Sequence, residues 1–153
     1  MSDIVEVTDL LTKGQCFCLN QDSAHPFSNL FVGDETLYLQ SDADEQLLIN
    51  LVFRTTVKLH SVDFVASCAD GSITVLVLLY NTLLLVTEET APSSVKLYTN
   101  LQSPGFSDVE DLPPIQQLDL TPDTLTRGTP INLKLVKFLH VNRYIPFLCA
   151  YCI

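Results

Sequence analysis

Hydrophobic residues recur at every second position over much of this chain. The alternation is clearest in five stretches: Leu37 and Leu39; Val57 and Leu59; Val95, Leu97 and Thr99; Leu118 and Leu120; and Ile131, Leu133 and Leu135. A period of two puts alternate side chains on opposite faces of a strand, so each stretch predicts a strand with one buried face. Clusters of turn-forming residues lie between them. Many short strands separated by turns predict an all-β sandwich.

A helical period occurs near the N-terminus. Val7, Leu10 and Leu11 are spaced i, i+3, i+4, and Gly14 follows soon after them. The spacing predicts one or two helical turns that end at the glycine.

The strand pattern changes phase at two points. The apolar residues move from Val57 and Leu59 to Val62 and Phe64, and from Leu135 to Val136 and Phe138. A one-residue slip turns every later side chain to the other face of a sheet. Each point therefore predicts a bulge, a corner between sheets, or a change from a half-buried to a fully buried strand.

A dense group of carboxylates separates two of the apolar runs. Asp42, Asp44 and Glu45 follow Leu39 and precede the run Leu47-Leu48-Ile49. Like charges this close repel one another and must remain solvated. Residues 41–45, called the acidic turn below, are therefore predicted to form a surface turn between two buried strands.

Length and charge narrow the class of protein. The 153 residues are enough for one domain with its own core. The chain carries 18 acidic and 8 basic side chains, and this net charge of -10 disfavours binding to nucleic acid or to an anionic membrane. A basic protein partner fits the charge better. The charge is uneven, since no acid follows Asp123 whereas Arg127, Lys134, Lys137 and Arg143 lie beyond it.

Targeting signals and cysteines bear on the cellular compartment. Residues 1–7 contain neither a basic n-region nor a long apolar core, so no signal peptide or transit peptide is predicted. The five cysteines, at positions 16, 18, 68, 149 and 152, are odd in number, and the chain has no Asn-x-Ser/Thr sequon. We expect free thiols in a reducing compartment, the cytoplasm, the nucleus or both.

The reactive side chains match no catalytic or metal-binding pattern. Cys149 and Cys152 have Cys-x-x-Cys spacing, but one residue follows them, and a redox dithiol needs a helix there to lower the thiol pKa. Adding Cys16 and Cys18 gives four thiols, yet their Cys-x-Cys spacing is tighter than that of usual zinc ligands. The three histidines belong to no nucleophile signature. We therefore expect no enzymatic activity, no cofactor and no bound metal.

Six ordered motifs run from residue 9 to residue 143. They are Asp9-Leu10-Leu11 with Cys18-Leu19-Asn20; Ser41 to Ile49; Val57-Lys58-Leu59; Pro92 to Asn100; Phe106-Ser107-Asp108; and Leu135-Val136-Lys137-Phe138 with Val141-Asn142-Arg143. Together they resemble the PITH domain, the C-terminal module of proteasome-interacting thioredoxin-like proteins. The resemblance implies a jelly-roll type β-sandwich, similar to galactose-binding-like domains, that docks onto the regulatory particle of the 26S proteasome.

Three features depart from the family pattern. No thioredoxin domain precedes the motifs, so we expect a stand-alone PITH protein or a fragment of a longer one. Residues 72–87 form a hydrophobic insert where the family has a short polar loop. After Arg143 the family continues with further strands, whereas residues 144–153 do not match. The sandwich is therefore expected to be incomplete at its C-terminal strands.

The hydrophobic insert has several interpretations. Eleven of the fourteen residues 73–86 are apolar, which is too short a run for a spanning helix, and acidic residues flank it without a Lys or Arg. A buried strand or pair of strands, with a turn at Asn81-Thr82, fits the run better than a membrane anchor. Alternatively, the insert and the tail are translated introns that were not spliced out. In that case the chain should be less stable than a version without residues 72–87 and with the family's closing strands.

The sequence thus predicts a single PITH-like domain over residues 1–153, with a non-catalytic role in protein binding. The expected partner is the regulatory particle of the 26S proteasome, and neither nucleic acid nor a membrane is expected to bind. The candidate contact residues are Ser41, Asp42, Asp44 and Glu45 in the acidic turn.

The rival interpretation is a jelly roll that binds a small molecule or a glycan. Such a domain should present exposed aromatic side chains at a concave site, for which Tyr38, Tyr98 and Phe106 are candidates. Some galactose-binding-like domains also hold a structural calcium, and the acidic turn has suitable oxygen ligands although it lacks the EF-hand pattern.

Overall fold

A computed structural model describes residues 7–32, 37–42, 46–69, 72–78, 94–120 and 131–149. The side chains of residues 63–69, 72–78, 148 and 149 are not described. The nine strands in these ranges are β1 (Phe17–Leu19), β2 (Leu39–Gln40), β3 (Gln46–Val57), β4 (Ser61–Ala69), β5 (Ser72–Leu78), β6 (Ser94–Thr99), β7 (Gln116–Asp119), β8 (Ile131–Asn132) and β9 (Val141–Cys149). One α-helix, α1, spans Phe106–Asp111 in the described part of the chain, and 3-10 turns span Thr8–Leu10, Lys13–Gln15, Phe27–Phe31 and Leu135–Lys137.

The strands form two antiparallel sheets. One sheet has five strands in the order β1-β3-β9-β6-β7, and the other has four in the order β2-β5-β4-β8. Every pair of neighbouring strands is antiparallel. The prediction of an all-β fold is confirmed.

The main hydrophobic core lies between the two sheets. Leu39 of β2 and Val62 of β4 contribute to it from one sheet, and Ile49, Val95 and Leu97 contribute from the other. All five side chains are fully buried, and each is worth about 2 kcal/mol of burial. The period-two pattern of β6 therefore faces the core as the sequence predicts, and the fold is a sandwich.

A second, smaller core covers the outer face of the five-stranded sheet. Its buried members are Leu48, Tyr98, Val109, Ile145 and Phe147. Val109 belongs to α1, which begins after Gly105 with the backbone N–H of that glycine donating to Asp108 Oδ2 at 2.8 Å. Strand β3 is buried on both faces over residues 47–53 as a result, which explains its unbroken apolar run.

The first phase change marks a corner between the sheets. β3 ends at Val57 in the five-stranded sheet, and β4 begins at Ser61 in the four-stranded sheet. Residues 58–60 turn the chain from one sheet to the other, and the Leu59 N–H donates to the Phe138 carbonyl at 3.0 Å. The predicted corner is confirmed.

The second phase change marks a 3-10 turn and corrects one predicted strand. β8 ends at Asn132, so the alternation of Ile131, Leu133 and Leu135 overestimates its length. Leu135 begins the 3-10 turn and is 45% exposed. The strand prediction fails there because the chain forms a 3-10 turn over Leu135–Lys137, after which Phe138 is buried in the core.

The helical period near the N-terminus gives one short turn. Thr8–Leu10 is a 3-10 turn, and a second one at Lys13–Gln15 contains Gly14. Leu11 follows the first turn, is buried, and forms a backbone bridge to Phe53 of β3. The prediction of one or two helical turns is confirmed in the 3-10 form, but the predicted end at Gly14 is wrong, because the first turn ends at Leu10 and Gly14 lies inside the second.

Residues set apart from the family motifs take part in both sheets. The first half of the insert is β5, which pairs with β4 on one side and β2 on the other. The predicted turn at Asn81-Thr82 lies outside the described residues.

The structure differs from the prediction that strands are lost after Arg143, because Tyr144 to Cys149 continue β9 between β3 and β6. A chain without residues 72–87 would lose a strand with two partners, so the expected gain in stability on deletion does not follow from the fold.

Candidate functional site

The acidic turn links the two sheets. It leaves β2 of the four-stranded sheet at Gln40 and enters β3 of the five-stranded sheet at Gln46. Its place between two strands agrees with the sequence prediction. The turn therefore lies where the chain crosses from one layer of the sandwich to the other.

One asparagine fastens both sides of the acidic turn. The Asn20 carbonyl accepts a hydrogen bond from the Asp42 N–H at 2.9 Å. The Asn20 side-chain Nδ2 donates to the Gln46 carbonyl at 2.8 Å. Asn20 itself has φ 67°, a left-handed conformation that asparagine tolerates better than most residues. The entry and exit of the turn are thus held by one residue that follows β1.

The segment after Asn20 runs beside the start of the turn. Gln21 forms a backbone bridge to Ser41. The Asp22 N–H donates to the Gln40 carbonyl at 2.8 Å, and the Gln40 N–H donates to the His25 carbonyl at 3.1 Å. These bonds fix the backbone at Gln40 and Ser41, where the acidic turn begins.

The four candidate contact residues have different surroundings. Ser41 is 1% exposed, so its side chain is not available at the surface. Asp42 is exposed. Asp44 and Glu45 lie outside the described residues. Among the described positions of the turn, Asp42 is the carboxylate that a partner can reach, and its binding role stays a prediction.

A second carboxylate that sequence reasoning missed lies near the turn. His25 Nδ1 donates to Asp22 Oδ2 at 2.9 Å, and the His25 ring stacks on Tyr38 with 4.3 Å between ring centroids and 10° between planes. The hydrogen bond from His25, together with one from the Ala24 N–H, lowers the pKa of Asp22 below its usual value. The Asp-x-x-His spacing at 22–25 is the sequence signal that could have identified it.

Most of the aromatic residues proposed for a glycan site pack against other parts of the domain instead of facing solvent. Tyr98 is 2% exposed, and its single hydroxyl proton is shared between the carbonyls of Val109 and Leu112 at the end of α1. Phe106 packs edge-on against Phe147, with 6.0 Å between ring centroids. Tyr38 is half-buried under His25. Two of the three rings therefore belong to the outer core.

The described cysteines are protonated thiols in packed surroundings. Burial raises the pKa of Cys18 to about 12, and burial also raises the pKa of Cys16. Both are free thiols. Cys149 is the last residue of β9, and Cys152 lies outside the described residues. A high thiol pKa disfavours redox chemistry or zinc binding at Cys16 and Cys18.

The described residues show no arrangement typical of a metal site or of a membrane-spanning helix. They contain no group of three or more His, Cys, Asp or Glu side chains placed to hold a metal ion. They also contain no helix with the length and apolar character needed to cross a membrane.

The two antiparallel sheets and their shared core define the chain as an all-β sandwich domain. The family model of the PITH domain matches residues 2–148, and the chain belongs to the PITH domain family. This match covers the hydrophobic insert and runs past Arg143, where the resemblance seen in the motifs ends.

A curated relative supports the family assignment. The chain is similar to thioredoxin-like protein 1 of Schizosaccharomyces pombe, with 31% identity over 136 residues. The aligned region is 88% of this chain and 41% of that protein. The chain thus spans about two fifths of the length of this relative.

Proposed function

We propose that this chain is a non-catalytic protein-interaction module that docks onto the regulatory particle of the 26S proteasome. The observation that carries the proposal is membership of the PITH domain family over residues 2–148, since the family resemblance implies this partner. The module acts in the cytoplasm, the nucleus or both. Its protonated, unpaired Cys16 and Cys18 suit such a reducing compartment.

The acidic turn is the proposed contact surface. Asp42 is exposed on a backbone held by Asn20, and the nearby Asp22 adds a second carboxylate with a lowered pKa. A surface whose backbone is fixed before binding loses little conformational entropy when a partner docks. Carboxylates on such a surface favour a basic patch on the partner and accelerate its association.

The aromatic residues support protein docking over glycan binding. A glycan site needs exposed rings, whereas Tyr98 and Phe106 are packed in the outer core. The proposal therefore does not depend on a concave aromatic site.

Affinity capture of the tagged chain from cell extract, followed by mass spectrometry, separates the two interpretations. Docking predicts recovery of several regulatory-particle subunits with the wild-type chain. Capture without these subunits, together with binding on a glycan array, would favour the ligand-binding jelly roll instead.

Charge reversal tests the contact surface itself. We expect Asp42→Lys with Asp44→Lys to weaken binding to the regulatory particle by about tenfold or more, because attraction to a basic patch becomes repulsion. The matched control is Glu110→Lys with Asp119→Lys, which reverses two exposed carboxylates elsewhere. If the first double variant binds like the control while keeping its melting temperature, the acidic turn is a structural corner only.

A further inference from the structure

The 3-10 turn before β9 exposes two adjacent apolar side chains. Val136 is 81% exposed and Leu135 is 45% exposed. Lys134 and Lys137 flank this pair, and both are exposed. Single apolar residues on a surface are ordinary, but this adjacent pair leaves contiguous apolar area in contact with water. We name residues 134–137 the basic–apolar turn.

The basic–apolar turn is held in place from several sides. Phe138 follows it, is fully buried, and accepts a hydrogen bond from the Leu59 N–H at 3.0 Å. The Lys134 N–H donates to Gln116 Oε1 at 2.9 Å, and Gln116 is itself buried. Lys137 Nζ donates to the Ile115 carbonyl at 3.0 Å. The exposed pair is therefore presented by a fixed backbone, which limits the entropy lost on binding.

The charge of the turn is opposite to that of the molecule. In the ranges covered by the structure, neither Lys134 nor Lys137 forms an ion pair with a carboxylate. The chain as a whole has a net charge of -10. Two cations that pair with no described carboxylate, on either side of exposed apolar area, are complementary to carboxylates that flank an apolar side chain.

We propose that the basic–apolar turn docks an acidic segment of a protein partner. Carboxylates of the segment pair with Lys134 and Lys137, and an apolar side chain between them covers Leu135 and Val136. The inference goes beyond the proposed function, because it concerns a second surface and a ligand of opposite charge to that favoured by the acidic turn. It holds whether or not the partner is the proteasome.

Two short synthetic peptides test the proposal by nuclear magnetic resonance. One contains Glu, Leu and Ser, and the other has Lys in place of each Glu. We expect the acidic peptide to shift the amide signals of residues 134–138 in a saturable way, and the basic peptide to leave them unchanged. Equal shifts with both peptides, shifts confined to other regions, or no shifts would overturn the proposal.

Variants separate charge from apolar contact. We expect Lys134→Glu with Lys137→Glu to weaken acidic-peptide binding by about tenfold or more, since two attractive pairs become repulsive. Val136→Ser should weaken it as well, whereas Val32→Ser, at another valine that is 60% exposed, should not. Unchanged melting temperatures would show that the variants fold, and unchanged affinity in both turn variants would refute the inference. Because no proteasome is present, this result is independent of the docking experiment.

Discussion

At the residue scale, two asparagines in left-handed conformation form side-chain hydrogen bonds with the backbone of distant loops. Asn20, at φ 67°, fastens the acidic turn. Asn100, at φ 59°, donates from Nδ2 to the His140 carbonyl at 2.9 Å and accepts from the Asn142 N–H at 2.9 Å. Both lie in motifs that carry the family resemblance. Those motifs therefore include residues whose side chains bond the backbone far away in sequence.

Asn50 is a buried polar residue whose side chain has no hydrogen-bond partner among the residues that the structure describes. It lies in β3 opposite Phe17 of β1, is fully buried, and leaves both Oδ1 and Nδ2 unpaired. An unsatisfied buried polar group costs about 1–3 kcal/mol. We expect Asn50→Leu, which has a similar branched shape, to raise the free energy of unfolding by about that amount, measured by urea denaturation.

The direction of the Asn50 effect is the informative result. Asn50→Asp serves as the opposite control, because it places a charge in the same apolar site and should destabilise the fold. A lower urea midpoint for Asn50→Leu would mean that the amide has a partner in solution, and it would contradict the assignment of Asn50 as unsatisfied.

At the element scale, the attachment of α1 depends on one tyrosine. The Tyr98 hydroxyl forms one bifurcated hydrogen bond, 2.9 Å from the Val109 carbonyl and 3.2 Å from the Leu112 carbonyl, at the end of the helix. The helix has six residues, too few to be stable by itself. Its position on the outer face of the sheet therefore rests on this bond and on the packing of Val109.

A matched pair of tyrosines tests the attachment. We expect Tyr98→Phe to lower the free energy of unfolding by about 1–2 kcal/mol, because the helix end loses its donor. Tyr144→Phe should cause no loss, since the buried Tyr144 hydroxyl has no hydrogen-bond partner in the described part of the chain. Thermal denaturation of both variants provides the comparison. Equal losses in the two variants would show that the hydroxyl of Tyr98 does not support α1.

The strands that the sequence predicts well are those with one buried face. In β7, Leu118 is buried while its two neighbours are exposed, as the alternation requires. The alternation does not predict β9, because the outer core buries the second face of this strand as well. The sequence pattern does not predict α1 either, because six residues form fewer than two helical turns, which is too short for a helical period to be recognised. The pattern thus predicts half-buried strands but not elements buried on both faces.

In the candidate site, some features follow from the local sequence and others depend on contacts between segments that are distant in sequence. The clustered charges around Asp42 predict a surface turn from local sequence alone. The burial of Ser41 and the role of Asn20 depend on pairing between the 20–25 segment and the 40–46 segment, which no local pattern encodes. The chemistry of the turn could therefore be predicted, but its supporting residues could not.

At the scale of the whole molecule, buried acids of high pKa make the fold sensitive to alkali. Burial raises the pKa of Cys18 from 9.0 to about 12 and raises the pKa of Tyr144 above 10.0. At a pH between the pKa of the thiol in the unfolded chain and its pKa in the folded chain, the unfolded chain releases a proton that the folded chain keeps. This contribution to stability is fully present below pH 9 and is lost as pH rises toward 12.

The alkaline effect can be assigned to one thiol. We expect the free energy of unfolding to fall between pH 9 and about 12 less steeply in Cys18→Val than in the wild type. The difference in slope should approach about 1.4 kcal/mol per pH unit. Urea denaturation at several pH values measures it, and parallel slopes for the two proteins would show that Cys18 does not titrate on unfolding.

The molecule presents two surfaces of opposite charge. The acidic turn exposes Asp42 at the crossing between the sheets, and the basic–apolar turn exposes Val136 between two lysines before β9. Asp42 and Lys134 each donate a backbone hydrogen bond to a segment distant in sequence. A partner that contacts both turns must offer basic and acidic patches, which restricts the surfaces that fit this domain.

Direct titration of the fluorescently labelled chain with purified regulatory particle tests the central claim, docking to the proteasome. We predict saturable binding that excess unlabelled chain reverses and that the isolated proteolytic core does not reproduce. Absence of binding by a chain that is folded by circular dichroism, or equal binding to the proteolytic core, would contradict the claim.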